Sequence, residues 1–118
     1  KVLPELDGKL AGIAMRVPVP DGSVVDFVCR LKKDTTPQLI NEAVRNASES
    51  ERMKSILEYS TTAIVSTDII GNPHSSIYDA PFTTVLEGNL AKTLNWYDNE
   101  WGYSNRVVDL IDILQSWD

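Results

Sequence analysis

The densest collection of chemically capable side chains lies near the end of the sequence, in Asn95-Trp-Tyr-Asp-Asn-Glu-Trp-Gly-Tyr-Ser-Asn-Arg-Val-Val-Asp-Leu110. Asp98, Asn99 and Glu100 are consecutive, so an amide able both to donate and to accept sits between two carboxylates that only accept. Such a group suits the orientation of a polar ligand better than covalent chemistry. The nucleophile candidate, Cys29, and the base candidate, His74, are the only cysteine and the only histidine, and both lie far from this stretch. One cysteine and one histidine do not make a metal site. No glycine-rich phosphate loop follows a strand anywhere in the sequence.

Two elements must position the polar triplet. Residues 90–97 alternate, with Leu90, Lys92, Leu94 and Trp96 on one face of an expected strand. From Val107 the period changes, and Val107, Val108, Leu110, Ile111, Ile113, Leu114 and Trp117 share a broad helical arc. A strand end, a polar turn and a helix start therefore meet at Asp98-Asn99-Glu100. One reading of that turn is a capping loop, with Asn99 or Asp98 satisfying the first helical N–H groups. The other is a ligand-facing corner.

Upstream, residues 9–19 alternate, with Ile13, Met15, Val17 and Val19 on one face and Ala14 and Arg16 on the other. Pro18 and Pro20 should end that strand or hold it at an edge. After a turn at Asp21-Gly22-Ser23, residues 23–31 put Val25, Phe27, Cys29 and Leu31 on one face, and the two runs read as an antiparallel hairpin. Cys29 reads as a small core residue. Thr36 and Pro37 open a helix whose buried stripe is Leu39, Ile40, Ala43, Val44 and Ala47. A further helical turn is expected over 53–57, a strand over 63–70, and another over 75–87 broken at Pro81. The pattern is α+β: a mainly antiparallel sheet with helices on one face and a C-terminal helix.

Length and charge limit the alternatives. The chain's 118 residues suffice for one modest core, and no domain boundary or repeat is visible. A net charge of −6 leaves no basic footprint for nucleic acid. No apolar run is long enough to span a bilayer, and no signal peptide is recognised, so no membrane partner is expected. A single cysteine rules out an internal disulfide and fits a reducing compartment.

The segment Trp96-Tyr-Asp-Asn-Glu-Trp-Gly-Tyr-Ser-Asn-Arg-Val-Val-Asp109 resembles the C-terminal signature of the phosphorylating glyceraldehyde-3-phosphate dehydrogenases. Gly8-Lys-Leu-Ala-Gly-Ile-Ala-Met-Arg-Val-Pro-Val19, Ser23-Val-Val-Asp-Phe27, Val65-Ser-Thr-Asp68 and His74-Ser-Ser-Ile-Tyr-Asp-Ala80 resemble further blocks of that family, while 34–61 adds little. The resemblance implies an incomplete catalytic-domain-like fold. On this expectation residues 1–118 are a fragment: the later part of the catalytic domain, with a closing helix over 101–117 and no dinucleotide-binding domain. The intact protein is then expected to be a cytoplasmic, glycolytic homotetramer. It converts glyceraldehyde 3-phosphate, phosphate and NAD, with NADP also open, to 1,3-bisphosphoglycerate.

Carried over by position, Arg16 matches the arginine that holds the substrate phosphate, for which a planar, permanently charged guanidinium is suited. Without the motif it would read as a surface arginine. Asn99 matches the asparagine that hydrogen-bonds the nicotinamide carboxamide, and Tyr103 lies near the nicotinamide in relatives or else packs. No catalytic residue is expected in this chain. Cys29 lacks the family's Ser-Cys-Thr-Thr-Asn setting, and the family's catalytic histidine falls upstream of Lys1. Two alternatives stand beside this reading: an erythrose-4-phosphate dehydrogenase fragment, and a non-catalytic interaction module on the same fold.

Overall fold

The expected strand before the polar triplet forms over its whole length. That strand runs Leu90–Tyr97 and is central in a four-stranded sheet. The computed structural model describes residues 3–117, so Lys1, Val2 and Asp118, which belong to the expected 1–118 unit, lie outside the described residues. Strands are named β1 (Ser23–Arg30), β2 (Leu57–Ser60), β3 (Ser76–Leu86) and β4 (Leu90–Tyr97), and helices α1 (Pro37–Ser48) and α2 (Trp101–Gln115). The sheet order is β1-β4-β3-β2; β4 pairs antiparallel with β1 and β3, while β2 pairs parallel with β3. The architecture is α+β with a mostly antiparallel sheet, as expected.

α1 forms where its caps place it. The Thr36 side chain accepts from Leu39 N at 3.3 Å and Pro37 takes the first helical position, where a missing N–H costs nothing. The helix lies over the sheet face carrying Phe27, Cys29, Tyr78, Ala91, Thr93 and Asn95, leaving between them a groove of about 490 Å³. Polar contacts fix it there. Tyr78 Oη donates to Asn41 Oδ1 at 2.9 Å, and Asn41 Nδ2 donates to the Ala80 carbonyl at 3.2 Å. Tyr59 stacks on Tyr78 with ring centroids 5.8 Å apart. The fully enclosed core is small and centred on β3, where Ile77 and Tyr78 are buried, with Ala91 beside them on β4 and Ile69 beneath. Cys29 is half-buried at the groove and not in a closed core.

Several expectations fail for local reasons, and the stripe expected to be buried on α1 is only partly covered, with Leu39 56% exposed over the open groove. Residues 9–19 form no strand and no hairpin with β1. Their alternation is real, but Ile13 is 87% exposed, and Pro18 and Pro20 withdraw the donors a ladder needs beside the turn. Residues 63–70 form no strand either. Asp68 accepts from Val65 N at 2.8 Å and returns its own N–H to the Val65 carbonyl at 2.9 Å, which closes a 3-10 turn over Ser66–Ile69. The turn at 53–57 does form, through Ile56 and Leu57 N–H groups donating to the Met53 carbonyl, each at 2.8 Å, but at Leu57 the chain enters β2, which the sequence reading missed. β3 is continuous through Pro81, and the expected break appears as a register shift between Asp79 and Thr84.

α2 meets the 74–75 backbone through one close approach. Gly102 is its one buried residue, and a Cβ there would stand 3.0 Å from the His74 carbonyl oxygen. Beyond this contact, Leu110, Ile111, Ile113 and Leu114 are each about half exposed. Arg106 ties the helix down with Nη1 donating to the Ser55 carbonyl at 2.8 Å, while its Nε lies 2.8 Å from Asp109 as an ion pair without hydrogen-bond alignment. Gly102→Ala should therefore destabilise the chain by about 1–3 kcal/mol, although alanine favours a helix interior by about 1 kcal/mol. Chemical denaturation checks this; an equal or higher midpoint would mean the helix sits looser on the 74–75 backbone.

Candidate functional site

The β4–α2 corner is built on a buried carboxylate. Asp98 is 2% exposed and accepts three backbone N–H groups. Its Oδ1 takes Glu100 N at 2.9 Å and Trp101 N at 2.7 Å, which caps α2, and its Oδ2 takes Gly71 N at 2.8 Å, which ties in the preceding loop. Gly71 has φ +78°, a conformation that suits glycine and turns its N–H toward the corner. Of the two capping candidates, Asp98 is the one that caps.

Burial by itself pushes the Asp98 carboxyl up. The N–H donors of Trp101, Gly71 and Glu100, with the Asp21 side chain, outweigh that effect and hold the group below its ordinary 3.8. The partial positive charge at the start of α2 acts in the same direction.

Asn99 follows directly and is exposed. Its Oδ1 accepts from Ser23 Oγ at 3.1 Å, a contact across 76 residues of sequence. Tyr103 stands one turn into α2 and is 72% exposed, so it presents its ring outward and does not pack. The structure thus brings Asn99 and Tyr103 together at the start of one helix. Arg16 lies elsewhere, on the extended exposed segment before β1, and forms no ion pair among the described residues.

Sequence reasoning missed two features near this corner. Ser23 and Gly71 reach it from distant parts of the chain, and no local pattern announces them. His74 is also more than an ordinary loop residue: its Nδ1 lies 2.8 Å from Asn72 Oδ1 and 3.1 Å from Glu58 Oε2, and its Nε2 lies 3.2 Å from the Lys54 carbonyl. That network braces the 72–75 backbone against which Gly102 packs. Cys29 is on β1 at the groove under α1, and no cluster of three or more potential metal ligands occurs among the described residues. No helix among them is long and apolar enough to cross a membrane.

An α+β layer with an amide-bearing corner between its central strand and its last helix is the class defined so far. The chain belongs to the glyceraldehyde 3-phosphate dehydrogenase C-terminal domain family, whose model matches residues 1–99. It is 60% identical over 110 residues to the glyceraldehyde-3-phosphate dehydrogenase of Borreliella burgdorferi, covering 92% of this chain and 33% of that protein. It is 54% identical to the Streptomyces coelicolor enzyme of the same name over 109 residues, 92% of this chain and 32% of the relative. A testis-specific form from Mus musculus is 54% identical over 111 residues, 94% of this chain and 25% of the relative. The chain therefore spans about a third of the length of the bacterial relatives.

The corner should respond to acid in a defined way. A carboxyl whose folded value lies below its ordinary 3.8 contributes stability that is fully present above that value and is lost as pH falls through the folded value beneath it. Asp98→Ala should cost about 2–4 kcal/mol at neutral pH, since it removes a helix cap and a charged acceptor of a buried N–H. Asp98→Asn should cost less and flatten the acid limb of the stability curve, measured by urea unfolding between about pH 3 and 7. An acid limb that is unchanged in Asp98→Asn would assign it to other carboxylates.

Proposed function

We propose that this chain is the later part of the catalytic domain, with the closing helix, of a phosphorylating glyceraldehyde-3-phosphate dehydrogenase. In this reading Asn99 orients the nicotinamide of NAD, Tyr103 lies beside it, and Arg16 binds the phosphate of the aldehyde substrate. The observation that carries the reading is the exposed Asn99 amide held on the buried Asp98 corner, within a chain of this family. The intact enzyme is proposed to be a cytoplasmic homotetramer that forms 1,3-bisphosphoglycerate with NAD, NADP remaining open.

The residues present fit the nicotinamide end of such a cofactor. Asn99 offers an exposed amide to a carboxamide, and Tyr103 offers an exposed aromatic surface close by. Bound NAD would supply the hydride acceptor. The part played by this chain is orientation: an amide fixed by its backbone and by Ser23 limits the ring to one rotational setting, and so selects the face that receives hydride. Arg16 adds a charge that distinguishes a phosphorylated aldehyde from a neutral one. Its guanidinium is committed to no carboxylate among the described residues, so its fork remains available for phosphate oxygens. In this reading neither Cys29 nor His74 acts as nucleophile or base. Cys29 faces the α1 groove, and both His74 ring nitrogens are engaged with neighbours.

The test is a comparison of two aldehydes in an enzyme made by joining this chain to the preceding part of the Borreliella burgdorferi relative. Arg16→Ala should lower kcat/KM for glyceraldehyde 3-phosphate by some tens to hundreds of fold, about 2–4 kcal/mol, and leave unphosphorylated glyceraldehyde almost unchanged. Arg16→Lys should restore part of the loss, because it keeps the charge and gives up the fork. An equal loss on both aldehydes would contradict the phosphate role, and a preference for erythrose 4-phosphate would move the substrate assignment.

A further inference from the structure

We propose that Ser23 is a positioning residue for the cofactor: it fixes the Asn99 amide so that Nδ2, not Oδ1, is the end offered to the nicotinamide. This rests on the cofactor role proposed for Asn99. The Ser23 hydroxyl lies 3.1 Å from Asn99 Oδ1. A carbonyl oxygen only accepts, so the hydroxyl must donate, and the Asn99 oxygen is thereby engaged. The free end of the amide is then the NH2 group, whose chemical complement is a carbonyl oxygen and not another N–H.

The contact is a product of the fold and not of two loose surface side chains. Ser23 is the first residue of β1 and pairs with Tyr97, two residues before Asn99. Immediately before it, Gly22 has φ +93° and lies so close to the buried Ile69 that a Cβ would stand 2.9 Å from its Cδ1. Gly22 N also donates to Asp21 Oδ1 at 2.7 Å. The serine is therefore set by a packed glycine on one side and by sheet register on the other. The backbone on the Asn99 side is set just as firmly, by the three N–H donors gathered on Asp98.

Such a bond matters most once a ligand covers it. In water an exposed hydroxyl–amide pair contributes little, because solvent replaces either partner. Under a bound ring that solvent is displaced, and an amide already turned the right way has less rotational freedom to lose. Without the serine both amide orientations are open, and only one of them donates to the ligand.

The experiment uses the same joined enzyme, with binding of NAD and of its 3-acetylpyridine analogue, which keeps the ring carbonyl substituent but lacks the amide N–H. Ser23→Ala should weaken both by about the same factor, roughly fivefold, the size of one neutral hydrogen bond. Ser23→Thr, which keeps the hydroxyl, should restore both, and in an Asn99→Ala background Ser23→Ala should have no further effect. KM for the aldehyde should not move. A loss confined to NAD would overturn the proposal by showing Asn99 as an acceptor. A loss that persists in Asn99→Ala, or no loss at all while Asn99→Ala itself binds weakly, would overturn it and leave the cofactor role standing. Unchanged binding in Asn99→Ala, or an unsubstituted enzyme that binds no NAD, would overturn the cofactor role and the positioning together.

Discussion

A single buried carboxylate holds the corner between β4 and α2 together. Removing a charge from water is costly unless hydrogen-bond donors replace the lost hydration. Asp98 meets that condition with three backbone N–H groups drawn from two segments, and with the positive end of α2. The arrangement has structural consequences in two directions. It starts the last helix at a fixed angle from the end of β4, and it draws the Gly71 loop under the corner, which places buried Ile69 against Gly22. Asn99 inherits its position from all of this, because its neighbour on one side is Asp98 and on the other is a residue whose N–H Asp98 holds.

The rest of the structure braces this corner from behind. His74 links Asn72, Glu58 and the Lys54 carbonyl, and so stiffens the backbone stretch that meets Gly102. Arg106 reaches the next residue of the same turn, Ser55, from α2. Strand, loop and helix are thus joined by a few polar contacts between backbone and side chain and by one glycine-sized approach. Little apolar area is enclosed there. Much of the apolar surface instead remains open, along residues 10–19, in the groove under α1 and on the far half of α2.

Where the sequence could be read, it was because the determinants were local. The alternation of 90–97 and the Thr36-Pro37 start of α1 need no distant partner to be recognised, and both elements form as expected. The alternation of 9–19 is equally clear, but periodicity reports only that one face is apolar; it does not say whether a strand lies alongside to complete a ladder. At 63–70 the β-branched run was outcompeted by the Asp68 side chain, which turns the backbone on itself. β2 has only four residues and depends on β3 for its existence. At the corner, the resemblance singled out Asn99 and Tyr103 as candidates, and local pattern offered Asp98 or Asn99 as a cap. The tether of Asp98 to Gly71 spans 27 residues and the Ser23 contact spans 76, so neither could be seen from spacing.

Amide hydrogen exchange, followed residue by residue, tests most directly whether Asp98 organises the corner. The account predicts strong protection at Gly71, Glu100 and Trp101, the three N–H groups held by its carboxylate, and a correlated loss of that protection as acid neutralises the group. Gly71 is the decisive probe, since its residue is otherwise exposed and its N–H has no helix or sheet partner. Exchange at Gly71 as fast as in an unstructured peptide, while β4 stays protected, would contradict the account.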